Sequence, residues 1–243
     1  MNQEPNTQER QFVRFTIGQR MQHLVMMISF TILALTGLPM RFPDISWLGS
    51  IYMFTGGING ARILHRIAGV IMILDGLYHL GYITMLLIRK NFRIFEAWPM
   101  IPNWKDATDF WDTTLYYLGY RKQLPEYDRF NFREKFDYFA VFWGLPVMMI
   151  SGLILWFPVF FGNNLPDLAI GLAYIAHSDE AVLAISAIVV WHFYNVHFNP
   201  DIFPMSWIWW HGKISEHHIK RDHSLEYARL IAAEQNSPSS ENT

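Results

Sequence analysis

The chain has 243 residues, no cysteine, and nearly balanced charge, with 19 Lys and Arg against 21 Asp and Glu. The lack of thiols excludes disulfides, cysteine-ligated iron–sulfur clusters, CxxCH haem attachment and cysteine zinc sites. A formal net charge of −2 gives no pull toward nucleic acid, and the apolar residues are bunched into long runs.

The opening stretch "MNQEPNTQERQFVRF" is polar and carries no short apolar core. The first apolar run therefore reads as a retained anchor, not a cleaved signal. Four runs are long enough to cross a bilayer, which takes roughly 20 residues at 1.5 Å rise each. They cover about residues 21–40, 62–88, 136–160 and 177–199, and turn chemistry (Pro39, Pro43, Pro158, "GNNLP", Pro200) closes the first, third and fourth. The expected fold is all-α, a transmembrane four-helix bundle with short interfacial helices. Residues 1–20 form a cytoplasmic leader, 21–200 the membrane domain and 201–243 a cytoplasmic tail. No internal repeat is visible.

Basic residues set the orientation. They precede the first span (Arg10, Arg14, Arg20), fill the second connection from Arg89 to Lys135 and follow the fourth span (Lys213, Lys220, Arg221, Arg229), leaving the first and third connections nearly bare. Both termini and the long connection are thus expected in the cytoplasm, with the chain multi-pass in the cytoplasmic (inner) membrane. In the long connection, "FEAWPMIP" and "FWDTTLYYLGY" read as helices lying at the lipid interface, as does "SWIWWHGK" after the fourth span. "DHSLEYARLIAAEQ" reads as a soluble helix capped by Asp222 or Ser224, and "NSPSSENT" as a frayed end.

Histidine placement carries the chemistry. His65 and His79 are 14 residues apart, which leaves them about 40° apart around a helix and roughly 21 Å apart along it. His177 and His192 are 15 apart, about 60° and roughly 22 Å. Antiparallel topology then puts His65 and His177 at an outer depth, and His79, His192 and His23 at an inner depth. Two levels of imidazoles on facing helices suit two stacked haems, each held by two histidines. No Glu-x-x-His pair lies in the spans, which disfavours a zinc or di-iron site. His197, on α-helical geometry, falls about 140° round from His192 and so on another face. His211, His217, His218 and His223 lie outside the spans and read as solvated.

"RMQHLVMMISFTILALTGLPM" resembles the first helix of the cytochrome b subunits of nickel–iron hydrogenases and membrane formate dehydrogenases, in Arg20, His23, Thr36, Gly37 and Leu38. "LHRIAG" and "HSDEAVLAISAIVVWHFYNVHF" resemble that family's second and last helices. The resemblance implies two b-type haems, with iron bound by His65 and His177 at the outer level and by His23 and His192 at the inner. It also implies quinone or menaquinone as exchangeable substrate, and a multihaem, iron–sulfur or other catalytic subunit docked on the outer face. His79 departs from the family pattern. It either displaces His23, serves a quinone site, or helps His197 hold a third haem.

Other residues are candidates on chemical grounds. Asp75 lies mid-span, one turn from His79, where a carboxyl is costly unless it works as a proton acceptor or bonds a neighbour. Arg62 and Arg66 flank His65 and either pair with haem propionates or anchor the helix at the interface. Tyr194 and Asn195 could bond a quinone carbonyl or mark the interface. Gly37, Gly69, Gly76 and Gly152 leave room for a macrocycle or a close helix. Asp179 and Glu180, at the expected entrance of the fourth span, suit a partner-facing or capping role. The expected function is a membrane-anchoring cytochrome relaying electrons between quinone and a partner redox subunit. Rival readings are a proton or metal transporter using intramembrane His and Asp75, and a haem-carrying assembly or sensory protein.

Overall fold

The computed structural model describes residues 9–200 and 202–236. The start of the leader (1–8), Asp201 and the end of the tail (237–243) lie outside the described residues.

In chain order the elements are β1 (Gln11–Val13), α1 (Ile17–Arg41), α2 (Ser46–Gly49), α3 (Ile51–Thr55) and α4 (Gly57–Arg89). Then come α5 (Ile94–Ala97), α6 (Trp104–Tyr117), α7 (Phe132–Trp156), α8 (Pro158–Asn164) and α9 (Leu168–Ser186). The fourth span continues past α9 through two π-helical segments, Ala187–His192 and Tyr194–Phe198. The tail holds α10 (Ile208–His211), β2 (Lys213–Ser215), α11 (Glu216–Asp222) and α12 (Ser224–Gln235). Four helices, at 17–41, 57–89, 132–156 and 168–198, are long and apolar enough to cross a bilayer.

The ends follow local chemistry. Thr16 and Asn131 cap α1 and α7, each in a reciprocal capping box with Gln19 or Glu134. Gly56 and Gly57 turn with positive φ (76° and 87°) to start α4. Pro158 starts a new helix, so the third span ends at Trp156, four residues before its expected limit. The expected interfacial helices form as α5, α6 and α10. Neither Asp222 nor Ser224 caps the tail helix. His223 occupies that position with no side-chain bond, because Asp222 closes α11 and Ser224 is already helical.

Two spans start earlier than the hydropathy suggests, α4 at Gly57 and α9 at Leu168. His65 and His177 therefore lie two turns inside their helices. Asp179 and Glu180 sit within the fourth span, so the expected helix-entrance or capping role does not hold. Asp179 instead reaches Arg41 at the end of α1, 3.3 Å away.

α1 packs along α4 and α7 along α9, and the two pairs meet more loosely. Most of what is buried between spans is small or hydroxylated (Ser29, Thr36, Ala68, Gly144, Ser151), with Met72 and Ile83 the larger exceptions, while many Leu, Ile, Val and Phe face outward. That inside-out pattern is how helices pack in lipid, where apolar surface gains nothing by hiding. The first and last described segments meet at one end of the bundle, called the terminal end. The connections around α2–α3 and α8 form the loop end.

At the terminal end the tail is fastened to the leader. β1 pairs antiparallel with β2, with Phe12 opposite Ile214. Arg14, 3% exposed, bonds Glu226 at 2.6 Å and Glu134 at 3.1 Å, and Arg129 binds the other oxygen of Glu226 at 2.7 Å. Arg14 also donates to His223 Nε2 (3.2 Å), so His223 must carry its proton on Nδ1, which donates to the Asp128 carbonyl (2.8 Å). Burial, and then the Arg14 charge, push the His223 pKa below its ordinary value. Nearby, burial works against the Asp222 charge, yet bonds from Arg221 and His218 hold its pKa below the usual carboxylate range.

Candidate functional site

At the loop end, His65 on α4 and His177 on α9 face each other with ring centres 6.3 Å apart. Each imidazole is held from behind by the neighbouring helix. Thr36 Oγ1 lies 2.9 Å from His65 Nδ1 and Ser151 Oγ 3.1 Å from His177 Nδ1. Both hydroxyls already donate their single proton to a carbonyl one turn back, Thr36 to Ile32 (2.6 Å) and Ser151 to Val147 (2.5 Å). They can therefore only accept from the rings. Both histidines are fixed as the Nδ1–H tautomer, and each Nε2 keeps a free lone pair.

The supports repeat one pattern. The Leu33 carbonyl is in hydrogen-bonding reach of His65, and the Met148 carbonyl of His177. Each carbonyl sits three residues before the hydroxyl, with a glycine just after it. A Cβ on Gly37 would come within 3.3 Å of His65 Cε1, and one on Gly152 within 3.0 Å of His177 Cε1. Thr36-Gly37-Leu38 and Ser151-Gly152-Leu153 are thus a short internal repeat that the sequence reading passed over.

Nearer the terminal end, His192 Nδ1 lies 3.0 Å from Asp137 Oδ2, a carboxylate in the second turn of α7. His23 interacts electrostatically with His192, and its own Nδ1 is buried with no hydrogen-bond partner among the described residues. His79 is engaged differently. Its Nε2 lies 2.8 Å from Tyr138 OH, which accepts from Trp98 Nε1 (2.9 Å), while its Nδ1 makes a long 3.5 Å contact with Gln22 Oε1. Because Gln22 Oε1 can only accept, Nδ1 carries the proton and Nε2 accepts from Tyr138, so this lone pair is covered, unlike those of His65 and His177. Gln22 Nε2 is buried without a partner.

The fourth span changes the reading of His197. Bonds from Phe193 N to Ile188 O and from Asn199 N to Tyr194 O run five residues back. In such a ladder, residues five apart stack roughly one above the other. His197 therefore lies about one wide turn below His192, on nearly the same side, and the expected 140° offset does not apply. Its Nδ1 is buried without a hydrogen-bond partner among the described residues. Among the other candidates, Asp75 makes no hydrogen bond or ion pair among the described residues. Arg66 stacks on Trp156, its guanidinium 5.3 Å from the ring centre, and Arg62 is exposed. Tyr194 is half exposed, and Asn195 donates to the Trp191 carbonyl within its own helix (2.9 Å). His218 pairs with Asp222 (2.9 Å), and His211 Nδ1 accepts from the Lys213 backbone (3.1 Å).

Asp137, Tyr138, Trp98 and Ser151 were not singled out from the sequence. Asp137 was findable, since an acid inside an apolar run asks for a partner. Trp98 was not, because its loop must fold back before the contact exists.

A family model described as prokaryotic cytochrome b561 matches residues 14–204, which takes in all four spans and all six of their histidines. The chain belongs to this family. Similar proteins include the cytochrome b556(fdo) subunit of formate dehydrogenase from Escherichia coli K12, 30% identical over 183 residues, covering 75% of this chain and 77% of the relative. The cytochrome b556(Fdn) subunit of the nitrate-inducible formate dehydrogenase from the same strain is 22% identical over 235 residues, covering 97% of this chain and 99% of the relative. A formate dehydrogenase cytochrome b556 subunit of Haemophilus influenzae is 22% identical, covering 76% of this chain and 71% of that one.

The protein is thus a multi-pass membrane cytochrome b, and its family implies haem b. The residues present fit that group. His65 and His177, with ring centres 6.3 Å apart and each Nδ1 held by a hydroxyl, would hold the haem iron through Nε2. Their fixed tautomer is the one iron ligation requires, and hydroxyls behind Nδ1 are the outer support that orients such ligands.

Proposed function

We propose that this cytochrome b is the membrane-anchoring subunit of a respiratory oxidoreductase, linking a partner redox subunit to quinone through two stacked b-type haems. The observation that carries the reading is the loop-end pair, two facing histidines with Nδ1 protons bound by hydroxyls and both Nε2 lone pairs free. His65 and His177 would hold one haem, and His23 and His192 the other. Bound haem supplies reversible one-electron chemistry, and the chain supplies ligation, orientation and proton handling.

The basic residues at the terminal end support a cytoplasmic location for both termini, within the inner membrane of a bacterium. The loop-end haem would then face a multihaem, iron–sulfur or other catalytic subunit outside. The relatives are formate dehydrogenase subunits by name, which favours a partner of that class. Quinone or menaquinone would react at the terminal-end level. Its two carbonyls need groups that exchange protons within hydrogen-bond reach. Asp75, His79 and His197 are there, and Tyr138 and Trp98 extend His79 toward the connection between α4 and α7. With its lone pair covered by Tyr138, His79 is assigned to this chemistry and not to iron. Tyr194, Asn195 and the Gln22 amide, unpartnered among the described residues, are further donors, while Arg62 and Arg66, beside His65, would pair with propionates.

Quinol-driven haem reduction in isolated membranes tests the reading. Wild-type protein should give a reduced b-type spectrum on adding quinol, and Asp75→Asn should keep its haem while slowing that reduction. Absence of any quinol-reducible haem would overturn it.

A further inference from the structure

The four proposed ligands differ in what holds Nδ1. At the loop end both rings donate to neutral hydroxyls, Thr36 and Ser151. At the terminal end, His192 faces a carboxylate, Asp137, at 3.0 Å. This contrast reaches beyond ligand assignment, because the group behind Nδ1 sets how much electron density the ring can give to its metal.

We propose that Asp137 is a positioning residue for His192 that makes the terminal-end haem the lower-potential member of the pair. The inference rests on the ligand assignment above. With Nε2 reserved for iron, Nδ1 must carry the proton and Asp137 must accept it. A bond from N–H to a carboxylate is charge-assisted and roughly twice as strong as one to a neutral acceptor. It pulls the proton away from the ring and gives the imidazole anionic character. The carboxylate's charge, one ring away, adds to the effect. Both favour the oxidised, more positive iron over the reduced one. At the loop end the groups behind Nδ1 are hydroxyls and backbone carbonyls, and the Arg66 charge acting on His65 widens the same contrast, since a cation there favours the reduced iron.

Asp137 is built for the part. It lies in the second turn of α7 with its side chain a quarter exposed, close enough to the polar end to stay hydrated while still meeting His192. Among the neighbouring charges, Arg133, one turn before Asp137, lies over the Phe132 ring (5.5 Å) and makes no ion pair with Asp137 among the described residues. Lys135 pairs with Asp106 (3.0 Å), and Glu134 with Arg14 (3.1 Å). No other cation is paired to Asp137 among the described residues, so its charge is directed at His192.

The test is a spectroelectrochemical titration of the whole protein in membranes, resolving the two haems. In the wild type, the haem lost on His192→Ala should titrate below the one lost on His177→Ala. Asp137→Asn keeps the shape and a neutral acceptor. It should shift the redox equilibrium of the terminal-end haem at least tenfold toward reduction, which is 59 mV for one electron, and leave the loop-end haem unmoved. Ser151→Ala should move its own haem by less. Two midpoints unchanged in Asp137→Asn would overturn the proposal. If that variant loses the haem, Asp137→Glu decides: recovery of haem and low potential supports the assignment, and failure of both variants to hold haem makes Asp137 a folding residue and overturns it. Failure of the ligand assignment itself looks different, as an unchanged haem count in His192→Ala.

Discussion

The two histidine levels are built from the same residue type to different ends. The loop-end level is close to symmetric: two helices each present a carbonyl, a hydroxyl and a glycine to one imidazole, and neither ring contacts an ionisable group behind Nδ1. The terminal-end level is asymmetric. One ring meets a carboxylate, His23 has no partner at Nδ1, and a third histidine is tied into a phenol and an indole. Symmetric, neutral support rigidifies a metal site without coupling it to protons. Titratable, partly unsatisfied surroundings do the reverse, at the cost of leaving buried polar atoms unpaired. The comparison teaches that, of the two histidine levels, only one gathers titratable groups, which is the basis for proposing proton chemistry there.

The largest expected effect breaks the symmetric level outright. Gly152→Val would bring new atoms against His177 Cε1, where even a Cβ stands at 3.0 Å, and should cost the loop-end haem entirely while the other survives. Absorbance per chain in purified protein reads this directly. Next in size is loss of the phenol at the asymmetric level. Tyr138→Phe removes the donor to His79 and should slow quinol-linked haem reduction about tenfold or more, with both haem spectra intact. Equal slowing of electron entry from an artificial donor to the loop-end haem would contradict the assignment of protons to one end.

A third prediction concerns the clamp beside the asymmetric level. Arg14→Ala leaves Glu226 and Glu134 without their shared partner, and breaking a buried pair from one side costs about 3–5 kcal/mol. The tail should detach, measured as faster proteolysis after α10. Acid should loosen it in the same direction. The folded-state pKa of His223 is lowered, so its neutral form stabilises the clamp fully above the ordinary value of 6.5. That contribution is lost as pH falls below 6.5 toward the folded pKa. His223→Gln should flatten the dependence. The smallest effect is expected from Thr36→Ala, which removes one neutral bond to His65 worth about 1 kcal/mol. It should loosen haem retention without abolishing it.

How much of this was legible beforehand follows from range. The four apolar helices, the short helices between them and the pairing of His65 with His177 depend on hydropathy and on spacing within one helix, and the structure has them. Span starts at Gly57 and Leu168 were not legible, because glycine and proline turns, not hydropathy, set them. The face of His197 was misread since an α-helical rotation was applied to a segment whose bonds run five residues back. The Thr36 and Ser151 supports were hidden for another reason: two residues make a weak repeat until both are seen against a histidine. Trp98, Tyr138 and His79 come from three separate segments, and only folding brings them together.

The central claim is that each level holds its own haem. A pyridine haemochrome assay on purified protein, wild type beside His65→Ala and His192→Ala, tests it most directly. The account predicts two haem b per chain in the wild type and one in each variant, with different midpoints for the survivors. One haem in the wild type, or two retained in both variants, would contradict it.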